Sequence, residues 1–239
     1  MKPIRKPATH ELVIERIRRA IHLCTYLPGD RLPPEREIAD QLAVSRESVR
    51  DAIKVLVDEG YLISRRGASG GLTVTSLMQP MEHMKARLRD EAENFLHLME
   101  FRRANESLAA RLAAERRDGA DLARIRQAIE DLRSNDGIPR FRKADSDFHL
   151  TVAAAARNPY VEEAIESARD AIFLLVNRDY PILLPSTLEG HTRVYEAIAA
   201  GDSAAAHAAM AEHIDIAAQE LVGVVAARRP STPPIAGTG

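Results

Sequence analysis

Residues 31–50, RLPPEREIADQLAVSRESVR, constrain the fold more than any other stretch of this chain. They predict two short helices joined by a tight turn. Pro33 and Pro34 suit the entry and first turn of a helix, where a missing N–H costs nothing. Ile38, Ala39 and Leu42 give the first helix one apolar face. Ser45 fits an N-cap, and Val49, Ile53, Leu56 and Val57 form the inward stripe of a second helix. Arg46 and Arg50 lie four residues apart, about 40° from eclipsed, so they share one face near the helix start. A helix N-terminus bearing guanidinium forks is what reading guanine O6 and N7 in a DNA major groove requires. A surface helix with ordinary arginines is the alternative.

The flanks narrow that choice. Upstream, LVIERIRRAIHL places Leu12, Ile14, Ile17, Ile21 and Leu23 at helical spacing, a helix able to pack behind the pair. Leu27-Pro28-Gly29-Asp30 is a turn by composition. Downstream, Gly60 ends the second helix, and YLIS and LTVT are two short β-prone runs around the Gly-rich tip RRGASGG. Three helices followed by a basic hairpin make a winged helix-turn-helix. Arg65 and Arg66 would reach DNA from the wing, and Gly67 allows close backbone approach.

These residues carry a resemblance. PGDRLPPEREIADQLAVSRESVRDAIKVLVDEGYL is similar to the N-terminal domain of GntR-type bacterial transcription regulators. The resemblance implies DNA contacts from Arg36 at the start of the first short helix, Arg46 and Arg50 on the recognition helix, and Gly67 in the wing. Ser45 and Ser48 are expected as phosphate or base contacts. Glu47 stands where that family varies.

Charge divides unevenly along the chain. Residues 1–78 hold 13 Lys/Arg against 10 Asp/Glu, and the remainder 20 against 25, so the DNA-reading part is the basic one. A single cysteine, Cys24, rules out an intrachain disulfide and suits a reducing cytoplasm; it reads as core filler. No apolar run approaches the roughly 18 residues of a membrane span.

From about Gln79 onward alanine, leucine, glutamate and arginine dominate, and helical spacing persists to about Arg228. LHLMEFRRANESLAARLAAERR predicts a long helix with Leu98, Phe101, Leu108 and Leu112 on one side. Further helices follow over DLARIRQAIEDLRSND, RKADSDFHLTVAAAAR and YVEEAIESARDAIFLLVNRDY, the last running until Pro181. Two more run from about Ser186 to Ala200 and from Asp202 to about Ala227. The expected fold is mainly α: a winged helix-turn-helix over residues 10–78, then an all-α antiparallel bundle of six or seven helices over 79–228. Residues 1–9 and 229–239 are expected to be disordered tails.

Polar residues occur where a bundle core should be apolar. Asp145 and His149 are four apart on one helix face, His191 lies on the next helix but one, and His213 on the last. Three imidazoles and a carboxylate from three helices can converge into a site for Zn²⁺ or Ni²⁺. A surface Asp–His pair is the competing reading. The remaining histidines, His10, His22, His83, His97 and His207, read as surface or packing residues.

This half also resembles a family domain, the FCD effector domain of the fatty-acid-regulator (FadR) branch. The matching pieces are Glu100-x-Arg102 with Glu106 and LAARLAA, Asp145-x-x-Phe148-His149, His191 ahead of YEAIAAGD, and His213. The resemblance implies a divalent metal on Asp145, His149, His191 and His213, with Arg102 facing the pocket and able to clamp a carboxylate. A salt bridge to Glu106 is the alternative role for Arg102. Asn177 is a further candidate for the pocket lining. The expected protein is thus a cytoplasmic, ligand-responsive regulator, a homodimeric repressor on a pseudo-palindromic DNA operator, with a divalent metal and a small carboxylate metabolite. A metal-dependent enzyme acting on a small organic acid is the rival class, since three His and an Asp around an open metal also serve hydrolysis.

Overall fold

The computed structural model describes residues 7–65, 71–75, 91–134, 137–175 and 180–227. Helix α1 (Thr9–His22) leads into α2 (Glu35–Leu42) and α3 (Arg46–Asp58). Strands β1 (Leu62–Arg65) and β2 (Gly71–Val74) pair antiparallel in the register Leu62↔Val74 to Arg65↔Gly71. The winged helix-turn-helix order is therefore complete. Between α2 and α3, Ala43 takes a left-handed conformation (φ 53°), the tight turn that lets the two helices cross. Ser45 caps α3 as its sequence foretold, its Oγ accepting the Ser48 backbone N–H at 3.1 Å. Arg31 bridges to Thr73 beside the hairpin, tying the loop before α2 to the wing.

The core of this unit is one apolar cluster that includes Ile17, Ile21, Ile38, Val49, Leu56, Tyr61 and Leu72. Val13, not Leu12, takes the first inward position of α1; Leu12 is exposed. The stripe runs 13/14, 17, 21, which a helical period of 3.6 favours over the wider 12–14 reading.

Six helices form the remainder of the described chain: α4 (Glu91–Arg116), α5 (Gly119–Arg133), α6 (Ile138–Ala155), α7 (Pro159–Leu175), α8 (Tyr180–Ala200) and α9 (Ser203–Ala227). Asp118 caps α5 through a reciprocal bond with Asp121. A second apolar cluster joins the helices, built on Phe95, Met99, Ile125, Phe148, Ile165, Val194, Ile198, Met210 and Ile214. Small side chains at Ala109, Ala110, Ala113, Ala153 and Ala206 are fully buried and let the helices approach closely.

Two expectations need correction here. The inward face of α4 is Phe95, Met99, Arg102, Glu106, Ala109 and Ala113, whereas Phe101 is 44% exposed. Two charged residues occupy the middle of the buried stripe, so counting apolar residues tilts the predicted face. Helix α8 begins at Tyr180, not near Ser186, and runs through Pro185. Pro181 is tolerated because it sits in the first turn, where no intrahelical N–H bond is due. Among the described residues no helix is long and apolar enough to cross a membrane.

Candidate metal centre and nucleic-acid interface

The bundle brings Asp145, His149, His191 and His213 together, all buried. Helix α6 supplies Asp145 and His149 one turn apart, α8 supplies His191, and α9 supplies His213. The three histidines each offer a ring nitrogen within 4.8 Å of the others. His149 Nε2 faces His191 Nε2 at 3.4 Å, and Asp145 Oδ1 lies 3.6 Å from the first and 3.5 Å from the second. Donors bonded at about 2.0–2.1 Å to a common tetrahedral centre are separated by about 3.4 Å, so these edges fit a small divalent ion. Phe148 stacks on His191 with ring centroids 3.7 Å apart, fixing that ring's plane.

The protonation states agree with ligation. Burial, and then the neighbouring imidazoles, hold His191 well below its ordinary value and His213 at about 3, so both rings are neutral near pH 7. Glu106 Oε2 is in contact with His149 Nδ1. That contact places the His149 proton on Nδ1 and leaves Nε2 as a lone-pair donor toward the cluster centre. His191 Nδ1 is buried with no hydrogen-bond partner among the described residues.

Two ion pairs brace this cluster. Arg102 Nε donates to Glu106 Oε1 at 2.6 Å, and both side chains are almost fully buried. Arg169 Nη2 donates to Asp145 Oδ2 at 2.5 Å and to Ser146 Oγ at 3.1 Å. Burial pushes both carboxyls up, but Arg102 on Glu106 and Arg169 on Asp145, each helped by His149, outweigh it and keep both ionised. The sequence reading missed Arg169 altogether and noted Glu106 only as a partner for Arg102. A signal existed: on α7 Arg169 falls on the buried stripe Val161, Ile165, Ala168, Ile172.

Gly190, next to His191, has a steric reason. A Cβ built there would lie 2.5 Å from His213 Nδ1 and 3.0 Å from its Cγ, so α8 presses its bare backbone against that ring.

At the other end of the chain, α3 presents Arg46 and Arg50 to solvent, with Arg50 Nε 3.6 Å from Glu35 Oε2. Arg36 is exposed on α2, its Nε 3.8 Å from Asp40. Ser48 is bonded to the Ser45 hydroxyl at 2.9 Å, so the two hydroxyls form one polar edge at the start of α3. Arg65 ends β1 and is exposed. Arg66 and Gly67 of the wing, and Asn177, lie outside the described residues.

Comparison with known proteins agrees with both halves. Residues 9–71 match the gntR family of bacterial regulatory proteins, and residues 97–216 match the FCD domain. The chain is similar to the HTH-type transcriptional regulator LutR of Bacillus subtilis, 32% identical over 195 residues covering 78% of this chain and 89% of that protein. It is likewise 31% identical over 223 residues to a putative L-lactate dehydrogenase operon regulatory protein of Escherichia coli, covering 84% and 82%. Among solved structures, McbR/YncC of E. coli shares the fold with a TM-score of 0.55 at 21% identity, covering 93% of this chain and 99% of that one. The chain therefore belongs to the gntR family of bacterial regulatory proteins with a C-terminal FCD domain, and it is a DNA-binding transcription regulator rather than an enzyme.

Proposed function

We propose that this regulator is a cytoplasmic, homodimeric repressor of the fatty-acid-regulator (FadR) branch, released from its operator by a small carboxylate bound over a divalent metal. In this reading residues 10–78 read DNA and residues 79–228 sense the effector and dimerise. Asp145, His149, His191 and His213 would hold Zn²⁺ or Ni²⁺, which when bound supplies a Lewis-acidic position for an anionic ligand.

The observation that carries the effector class is the charge count of the buried site. Arg102 and Arg169 are balanced by Glu106 and Asp145, and His191 and His213 are neutral. A divalent ion therefore arrives with no negative charge left to offset it. A buried uncompensated charge is costly, and an anion of matching size relieves it. The relative named for an L-lactate dehydrogenase operon is compatible with a small hydroxy-acid.

DNA reading rests on Arg46 and Arg50, with Arg36, Ser45, Ser48, Arg65, Arg66 and Gly67 around them. One winged helix covers only a few base pairs. Two, held ~34–36 Å apart by a dimer, read a pseudo-palindrome and combine their discrimination.

A thermal-shift screen of small organic acids, with the chain metal-free and then zinc-loaded, tests the sensor reading. An acid at 100 times its Kd should stabilise the loaded chain by about 2.7 kcal/mol and leave the metal-free chain unmoved. Elemental analysis should find metal in the wild type and none in the chain carrying His191→Ala with His213→Ala. Equal metal in the two chains would discard the site.

A further inference from the structure

We propose that Arg169 and Asp170, adjacent on α7, couple the metal centre to the DNA-reading unit. The inference rests on the metal reading above and adds the route by which occupancy of that centre reaches DNA.

Adjacent residues on a helix point about 100° apart, so one turn of α7 can face two partners. Arg169 turns into the bundle and holds Asp145 Oδ2 at 2.5 Å, while the other oxygen of that carboxylate faces the histidines. Asp170 turns outward to α1, where its Oδ1 meets His22 Nδ1 at 2.7 Å. The opposite ring nitrogen, His22 Nε2, is 2.9 Å from the Tyr61 hydroxyl. Tyr61 is fully buried; its backbone N–H donates to Leu56 O on α3, and its carbonyl accepts from Thr75 beyond β2. A path of direct contacts thus runs from Asp145 to the end of the recognition helix and the base of the wing.

A second contact runs beside it. One turn earlier on α7, Glu166 accepts from Arg19 at 2.9 Å, and Arg19 precedes His22 by one turn of α1. Arg18 in turn grips Glu59 at the end of α3 with distances of 3.0 and 2.7 Å. Helix α1 is therefore clamped to α7 on one side and to α3 on the other, and a shift of α7 moves the reading head. Cys24 lies in the same seam. Its thiol is buried, within the fields of Arg142, Arg169 and Asp145.

The driving force is competition for one carboxylate. Asp145 is the counter-charge of Arg169, and it is also the anionic member of the ligand set. Sharing it with a dication weakens the hold on Arg169 and places two positive charges near each other. Arg169 is thus a positioning residue, acting on DNA through Asp170, His22 and Tyr61 with the Glu166–Arg19 contact beside them.

The single cysteine supplies a probe that requires no operator. The full chain, metal-free or zinc-loaded with excess ion removed, is treated with iodoacetamide, and Cys24 alkylation is timed by mass spectrometry. Zinc content of each sample is measured in parallel. The rate should differ between the two states by about fivefold or more, the lower end of ordinary allosteric coupling. In Asp170→Ala, which leaves every ligand in place, zinc should still bind while the two rates converge. Should that variant not fold, Arg19→Glu with Glu166→Arg keeps a reversed ion pair and should retain the zinc dependence that Glu166→Arg alone reduces. Zinc bound by the wild type with no change in rate would overturn the coupling alone. A wild type that takes up no zinc would remove the metal reading and the coupling together. A zinc-dependent rate that survives unaltered in Asp170→Ala would overturn the route.

Discussion

Gly190 is asked for something no other residue could give. It sits inside α8, where glycine costs roughly 1 kcal/mol relative to alanine, and the cost is offset because His213 lies against its backbone. Gly190→Ala should raise intrinsic helix propensity yet push the His213 ring out of the cluster. The expected result is a chain that keeps its helical circular dichroism and loses at least tenfold in zinc affinity, about 1.4 kcal/mol, measured by competition with a chelating dye. Undiminished affinity would show that the ring can move aside and still ligate. The DNA side has its own residue-scale prediction. Arg46 and Arg50 are exposed at the start of α3, where a fork can meet guanine directly. Replacing either by alanine should cost ~1–3 kcal/mol on the preferred sequence and little on random duplex, so selection experiments should return a relaxed motif. A uniform loss across all sequences would reassign that arginine to phosphate contact.

At the scale of elements, legibility followed the match between apolar spacing and burial. Helices α2 and α3 were readable because Ile38, Ala39, Val49, Ile53 and Leu56 are both apolar and inward, and Ser45 announces the cap. Helix α4 was readable as a helix but not in its facing, because Arg102 and Glu106 hold two inward positions and Phe101 an outward one. The same fact explains the candidate site. Ligand types were visible in Asp145, His149, His191 and His213 on three predicted helices, and the resemblance of the C-terminal half pointed to the same four residues as a metal set. Arg169, Gly190 and His22 were not singled out, because each has its role only through a neighbour distant in sequence. His22 in particular is a buried hydrogen-bonded residue between two helices, which spacing alone cannot tell from ordinary packing. The cap itself is open to test. Ser45→Ala removes the acceptor for the Ser48 N–H and should lower stability by roughly 1 kcal/mol, read as a reduced urea midpoint with unchanged slope. Because the same residue lies at the DNA edge, Ser45→Asp should restore the cap while adding a charge that repels phosphate. Stability recovered with DNA binding still weak would separate the two roles.

For the molecule as a whole, the neutral histidines make stability a function of pH, and the sign is fixed by their direction of shift. His213 is held at about 3 and His191 well below the ordinary 6.5, chiefly by burial. As pH falls below 6.5 the unfolded chain binds protons at these positions that the native chain refuses. Stability present above pH 6.5 is therefore lost as pH falls toward the folded values, by up to about 1.4 kcal/mol per pH unit for each histidine. Asp145 and Glu106 are depressed from 3.8 and 4.5, so their contribution is present above those values and is lost only further into acid. The window between pH 6.5 and about 5 thus belongs to imidazoles and not to carboxylates. Urea unfolding of the metal-free chain at pH 7, 6 and 5 should show a falling midpoint. His213→Gln should flatten the slope by about one proton's worth, whatever it does to the stability at pH 7. Zinc loading should raise the wild-type midpoint at each of these pH values without steepening the slope, because His191 and His213 of the native chain carry no proton for the ion to displace in this window, and should leave His191→Ala with His213→Ala unaffected. A midpoint indifferent to pH across this window would mean that His191 and His213 take up protons inside the fold as readily as in water. The buried, charge-balanced cluster on which the sensor reading depends would then have no physical basis.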